Sequence, residues 1–308
     1  MPDSAHSVVL SFREWKRREA AHRERAERRT VPARSRRTRR LPHPVEDFLF
    51  QYYPFPFSLL EHWHPGLLVG LEWPEAAGRL APEGGVSERH YRLVDGVVAA
   101  DPGKIREPER VRLRWMRALL AATASRAGNF ACYGLHEWAM VYGGRDVRHH
   151  SVVPLRLPQA EIDALVRSRP LCCTHFDAFR FFAAETQPLN RLQPTLEARE
   201  ALEQPGCVHA NMDLYKWAAK AMPWSGSELL LDCFELALEL RELDMRASPY
   251  DLATWGYRAI RIETAEGRRE YEVEQRRLAA AAAPLRQRLI GVLGGLERAW
   301  AATNQSEG

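Results

Sequence analysis

The stretch SGSELLLDCFELALELRELDMRASP, residues 225–249, decides the fold class. Ser225 and Glu228 stand at capping-box spacing, in which a hydroxyl and a carboxylate each satisfy a backbone N–H at a helix start. Leu230, Phe234, Leu238 and Met245 then recur on one side, and Ser248-Pro249 stops the run, so the pattern predicts the longest helix of the body, ending near Ala247. The other side carries Asp232, Glu235, Glu239 and Glu242 at steps of 3, 4 and 3. Such a side is a solvated acidic surface, or, set against a helix bearing His209 and Asp213, part of a carboxylate-rich di-metal bundle.

Outward from this stretch the helical period continues in both directions. Residues 209–222 read as helix up to Pro223, and residues 192–204 as a further helix. Residues 107–126 carry the apolar stripe Val111, Leu113, Met116, Leu119 and Leu120, and residues 159–167 make a shorter helix. Residues 267–303 form the last helix, with Pro284 expected to kink or split it. Strand signals are few. Residues 90–100 place Asp95-Gly96 between apolar runs, the two positive-φ positions of a tight hairpin turn. Residues 151–157, with Pro154, and residues 257–264 read as short strands. The expectation is a mainly α fold: a helical body with one or two small antiparallel strand pairs.

Charge divides the chain at about residue 40. Residues 11–40 hold 13 Lys/Arg against 4 Glu, a net of +9, whereas residues 41–308 carry about −4. The reading is a basic arm over residues 1–40, partly helical or disordered, with a charged helix ended by Pro32, and a single catalytic-type domain over residues 41–308. Its period of apolar residues begins after Pro42 and Pro44, so the body is expected to fold without the arm. An arm of this charge binds polyanions, DNA above all, or is a solvated tail with no ligand of its own.

The five cysteines are odd in number and form no CxxC pair, which excludes a disulfide framework and a cysteine-rich zinc site and fits a cytoplasmic protein. No apolar run is long enough to span a membrane, so no membrane partner is expected.

Three segments concentrate the chemistry: NFACYGLHEWAMVY (129–142), THFDAFRFF (174–182) and HANMDLYKW (209–217). Each sets a histidine within four residues of a carboxylate among aromatics, a composition that solvated helices and ordinary cores both avoid. His209 and Asp213, four apart, share one helix face. His136, His175 and His209, with Glu137, Asp177 and Asp213, are a candidate ligand set for a divalent transition metal such as non-haem iron or manganese, in an enzyme acting on a small molecule. Tyr133, Trp138, Phe176, Tyr215 and Trp217, with Asn211, are candidates to hold a flat or cationic ring. His62 and His64, two apart in a proline- and aromatic-rich segment that begins at Tyr52, suit a metal only on a strand or turn and otherwise pack structurally. Residues 244–249 crowd polar groups at a helix end, where they would close a pocket.

The strings NFACYGLHEWAMVY, THFDAFRFF, QPGCVHANMDLYKW (204–217) and ELDMRASPYDL (242–252) resemble those of an actinobacterial-type family that carries the name 3-methyladenine DNA glycosylase, over about residues 41–290. The resemblance implies a DNA-repair hydrolase that excises alkylated purines such as 3-methyladenine. The sequence departs from the glycosylase patterns with a helix-hairpin-helix turn and downstream aspartate, and from the small zinc-bearing enzymes. Excision would therefore use a site of its own, with the base stacked among the aromatics and Glu137, Asp177 or Asp213 as the catalytic carboxylate. The third possibility is a nucleic-acid-binding protein without catalysis, in which the polar clusters are structural.

Overall fold

The computed structural model describes residues 8–75, 80, 86–144 and 153–306. Strand β1 (Val8–Leu10) leads directly into helix α1 (Phe12–Arg39), and two short helices, α2 (Phe48–Tyr52) and α3 (Phe57–Glu61), follow. Strand β2 (Val69–Glu72) and the hairpin of β3 (Tyr91–Val94) and β4 (Val97–Ala100) precede α4 (Glu107–Ser125). The short helices α5 (Leu135–Met140), α6 (Gln159–Ser168), α7 (Phe176–Phe179) and α8 (Arg199–Leu202) come next. Three longer ones, α9 (Val208–Lys220), α10 (Ser227–Ala247) and α11 (Ala265–Ser306), complete the chain. Mainly α is therefore the class, and among the described residues no helix is long and apolar enough to cross a membrane.

Helix α10 is the centre. It packs most extensively on α9 and next on α11, which in turn covers α4. Leu230, Leu231, Phe234, Ala237 and Met245 are wholly buried, and each large side chain taken out of water stabilises the fold by roughly 1.5–3 kcal/mol. The capping-box reading of its start is corrected. Ser225 donates its hydroxyl to the Ala218 carbonyl at 2.9 Å, and the position before the helix is Gly226. Gly226 (φ 75°) lies against Gly66 (φ 89°), and a Cβ on either would meet the other's Cα at 3.2 Å. Ser227 fastens the same crossing by donating to the His62 carbonyl and accepting from the His64 N–H, both at 2.9 Å. The His64 ring serves packing there, meeting the Tyr91 hydroxyl at 2.9 Å, whereas His62 contributes its carbonyl and its side chain is exposed.

The hairpin forms at Asp95 (φ 48°) and Gly96 (φ 75°), both in the left-handed region. It belongs to a four-stranded sheet of order β1-β2-β4-β3, in which β2–β4 and β4–β3 are antiparallel. β1 pairs parallel to β2, with Val8 opposite Val69, a pairing the strand signals did not contain. Two expected strands are absent among the described residues. Of 151–157, residues 151 and 152 lie outside the described residues and from 153–157 only Leu155 pairs, as an isolated bridge to Tyr250, while residues 257–264 stay irregular because buried Ile260 and Ile262 anchor them to the end of α10 without a partner strand. In residues 192–204 only α8 is helical. Pro194 interrupts the segment, and Asn190 fixes the preceding turn by bonding both backbone groups of Cys173.

Residues 8–39 are also corrected. Pro32 lies inside α1, which runs on to Arg39. A proline in a helix interior costs about 3 kcal/mol, and here the face Trp15, His22, Ala26, Thr30 and Ala33, buried against the body, offsets it. Trp15 stacks between Trp63 and Trp73 and donates its Nε1–H to the Glu72 carbonyl at 2.9 Å, and His22 meets the Leu60 carbonyl at 2.7 Å. Much of the basic charge is spent within the chain. Arg25 pairs with Asp232 (2.9 Å) and Glu235, Arg34 with Glu61 (2.7 Å), and Arg36 with Asp47 (2.6 Å). Residues 8–39 are thus a packed layer of the body, and α10's acidic side is its counter-surface.

Replacing Trp15 with alanine is expected to destabilise the whole chain by about 3–5 kcal/mol, and deletion of residues 1–40 to abolish cooperative unfolding. Urea titration followed by circular dichroism checks both. A midpoint within error of wild type for Trp15→Ala would return these residues to the status of a separate arm.

Candidate active site

The three histidine segments meet. Tyr133 (φ 50°) and Gly134 (φ 73°) turn the chain into α5, and glycine suits position 134 because the backbone there is left-handed and a Cβ would crowd the Ala247 Cβ at 3.2 Å. The turn seats α5 against the end of α10, so that His136 Nε2 lies 2.6 Å from Asp244 Oδ1. His209, at the first turn of α9, stands edge-on to His136 with ring centroids 4.6 Å apart and faces His175 at 5.6 Å. His209 is therefore the middle ring of three, and it alone of them is partly open to solvent.

On one flank the ionic groups are consecutive. Arg241, a turn before Asp244, sends Nη1 to Glu137 Oε1 at 2.9 Å and to Asp244 Oδ2 at 3.2 Å, with its guanidinium 3.7 Å from the centre of the Phe48 ring. All four charged or basic side chains are at most 3% exposed, so each depends on its partner for neutralisation. Burial opposes the charged form of His136, but Asp244 and then Cys132 outweigh it and raise the ring well above the usual imidazole range. Asp244 is correspondingly held below the usual carboxylate range, with burial overridden by His136. His209 moves the other way: burial first, then the charge of His136, push it well below its ordinary value. The first ring is an imidazolium and the second a neutral imidazole.

On the other flank Asp213 is saturated. It accepts from Tyr53 Oη (2.7 Å), Arg199 (2.9 Å), His175 (3.3 Å) and Lys216, which override burial and hold it well below the carboxylate range. Glu203 completes the group through Arg199 at 2.6 Å. Donor atoms of His175, Glu203 and Asp213 lie within 4.8 Å of one another, as do those of His136, His209 and Asp244. A metal at the first set would displace Lys216, Arg199 and Tyr53, and at the second it would face the Arg241 guanidinium, so both sets fit ion-paired hydrogen-bond networks better than a cation.

Between the flanks opens a cavity of about 200 Å³ whose polar lining is Glu137, Asp177, His209, Arg241 and Tyr52, with Phe48, Phe181 and Tyr250 among its aromatic walls. Asp177, one-fifth exposed, is paired with Lys216 at 3.2 Å and Arg180 at 3.4 Å. Two groups at the cavity have no protein partner for part of their hydrogen-bonding capacity: Glu137 Oε2, and Arg241 Nε and Nη2. Such buried atoms are costly unless a ligand or water meets them.

Of the proposed carboxylates, Glu137 and Asp177 line the cavity, whereas Asp213 lies outside the lining, paired with Lys216 and Arg199. The ring-binding set is largely elsewhere. Trp138 is core, its Nε1–H on the Ala247 carbonyl. Tyr215 packs with Tyr53 and Phe234, Trp217 lies under Lys216 and Arg199, and Asn211 bonds the Pro205 carbonyl and Arg286. Tyr133 reaches toward Glu272 at 3.4 Å, and Phe176 is half-buried outside the lining. His136 and His175 flank the cavity without lining it. Of the aromatic residues that do line it, Phe181 and Tyr250 fall in the quoted strings, whereas Phe48 and Tyr52 come from the segment before Tyr53-Pro54, where two aromatics at helical spacing, their rings stacked 5.2 Å apart on α2, are the signal that sequence could have offered. No family model, curated protein or solved structure matches this chain.

The neutral His209 gives stability a sign with pH. Its folded-state affinity for protons is depressed, so below about pH 6.5 the unfolded chain takes up a proton that the folded chain does not, and stability falls as pH falls. Wild type is expected to lose more stability between pH 7.5 and 5.5 than His209→Gln, by up to about 1.4 kcal/mol per pH unit below 6.5. Thermal unfolding at matched ionic strength measures it, and parallel slopes for the two proteins would refute the neutral ring.

Proposed function

We propose that this chain is a hydrolase that cleaves the N-glycosidic bond of an alkylated purine such as 3-methyladenine, with DNA as the carrier of the damaged base. One observation carries the reading: Glu137 Oε2 and Arg241 Nε and Nη2, buried and without protein partners, stand at an aromatic-walled cavity that a flat heterocycle would fill. A purine edge offers acceptors for the guanidinium and N–H donors for the carboxylate, and its ring packs against the aromatic wall at Tyr52, Phe181 and Tyr250. Asp177, with its carboxylate held by Lys216 and Arg180, would oppose the positive charge that develops on the sugar as the base departs with the bonding pair. His209, neutral and also lining the cavity, would take a proton from the water that adds to the sugar carbon.

The remaining charge of residues 8–40 supports a polyanionic substrate. Arg13, Arg23, Arg29, Arg37, Arg39 and Arg40 are exposed, and none forms an ion pair among the described residues. Phosphate contacts of this type add affinity without sequence preference.

The test is release of 3-methyladenine from N-methylated duplex DNA by the full-length chain, followed by chromatography. Glu137→Gln and Asp177→Asn are each expected to lower kcat by about 10²-fold or more. Replacing Arg37, Arg39 and Arg40 with glutamine is expected to leave kcat near wild type and to flatten the salt dependence of KM, by about one unit of slope for each phosphate no longer neutralised. Cleavage of N-methylated nucleosides without cleavage of DNA would keep the site and remove DNA as the substrate. Release from neither would overturn the reading.

A further inference from the structure

On the far side of the His136–His209 wall lies a second, smaller space, about 20 Å³, lined by Cys132, Cys172, Cys173 and Cys207 together with His136, Tyr271 and Gln275. Four of the chain's five cysteines surround it. Cys132 Sγ is 3.4 Å from His136 Nδ1, and the other nitrogen of that ring is held by Asp244 at 2.6 Å. A sulfur, a ring and a carboxylate in this order form the relay by which an imidazole takes a thiol proton while the carboxylate fixes its orientation and offsets its charge. A second feature points to a ligand. Tyr271 Oη and Gln275 Oε1 border the same space, their side chains at most 2% exposed, and neither atom has a protein partner, although Gln275 Nε2 is engaged with the Gly206 carbonyl at 2.7 Å. Together they supply one hydroxyl donor and one carbonyl acceptor beside the thiol.

We propose that Cys132, His136 and Asp244 form a peroxide-reactive thiol site that takes hydrogen peroxide or another small hydroperoxide. Size selects the substrate class: about 20 Å³ holds a molecule little larger than water, which excludes an acyl group or peptide as the electrophile. A hydroperoxide O–H donates to Gln275 Oε1, and its oxygen accepts from Tyr271. The imidazolium of His136 holds the proton that the thiol gives up, and Cys132 Sγ attacks the near peroxide oxygen. The S–O bond forms as the O–O bond breaks, and the departing oxygen leaves as water or alcohol with the proton from His136. The sulfur is oxidised by two electrons to the sulfenic acid and the peroxide is reduced by two. Cys132 is partly exposed, so the oxidant reaches it from solvent. The assignment is independent of the glycosidic reading, since it uses neither Glu137, Asp177 nor the aromatic cavity.

Cys172 is an internal control. It is also partly exposed, but its sulfur meets the Pro170 carbonyl at 3.9 Å rather than an imidazole, and burial raises its thiol. The full-length reduced chain is treated with micromolar hydrogen peroxide in the presence of dimedone and mapped by peptide mass spectrometry. Cys132 is expected to carry the adduct, or to enter a disulfide, at least about 10-fold faster than Cys172, and His136→Gln and Asp244→Asn to remove that advantage. A merely structural role predicts the opposite sign, because loosening the fold would speed modification of buried Cys173 and Cys233 and leave Cys132 no slower. Equal or faster labelling of Cys172 in wild type would overturn the proposal, as would a Cys132 rate within about twofold of wild type in His136→Gln.

Discussion

Asp244 has no access to solvent and must be neutralised by the groups packed around it. His136 arrives from α5, Arg241 from the preceding turn of α10, and Glu137 then balances Arg241. Because each of these side chains is itself buried, none can move without stranding a charge, and breaking such a pair typically costs about 3–5 kcal/mol. The position of α5 and the orientation of His136 are consequences of that constraint. The orientation in turn fixes which nitrogen of His136 faces Cys132 and how the ring meets His209.

The helical body was legible in the sequence because its signals are local. The apolar period of residues 225–249 needs no partner to be recognised, and neither do the two left-handed positions at Asp95-Gly96. The histidine segments were legible by composition: charge and aromatic rings together at His136, His175 and His209 are unusual unless the groups meet, and the three rings do meet. What stayed hidden depends on distance along the chain. Asp244 stands 108 residues from His136, and the aromatic walls Phe48 and Tyr52 come from α2, which lies outside the three histidine segments. Trp138 and Tyr215 stand out by type, yet large aromatics more often fill a core than a cavity, and these two do so. The thiol of Cys132 is in plain view four residues before His136, but its meaning requires the carboxylate on the other side of the ring.

Two features of opposite charge belong together. The basic helix α1 and the acidic side of α10 meet at Arg25, Asp232 and Glu235, and neither is simply a solvated surface. The buried face of α1 and the aromatic sandwich of Trp15 with Trp63 and Trp73 lie on the same side of the helix, so the ion pairs set register where burial supplies most of the stabilisation.

That interface joins residues 207 positions apart, and the separation bears on how the protein is made. During synthesis α1 leaves the ribosome long before its partner on α10 exists. At about 5–20 residues per second the nascent helix waits roughly 10 to 40 seconds for Asp232 to reach Arg25, although Trp63 and Trp73, 48 and 58 positions after Trp15, cover that ring much sooner. Its remaining surface, dense in arginine and glutamate linked at three- and four-residue spacing, keeps the waiting segment in water and in helical form. The intrahelical pairs of α1 therefore guard it against premature association before Arg25, Arg34 and Arg36 tie it to the finished body.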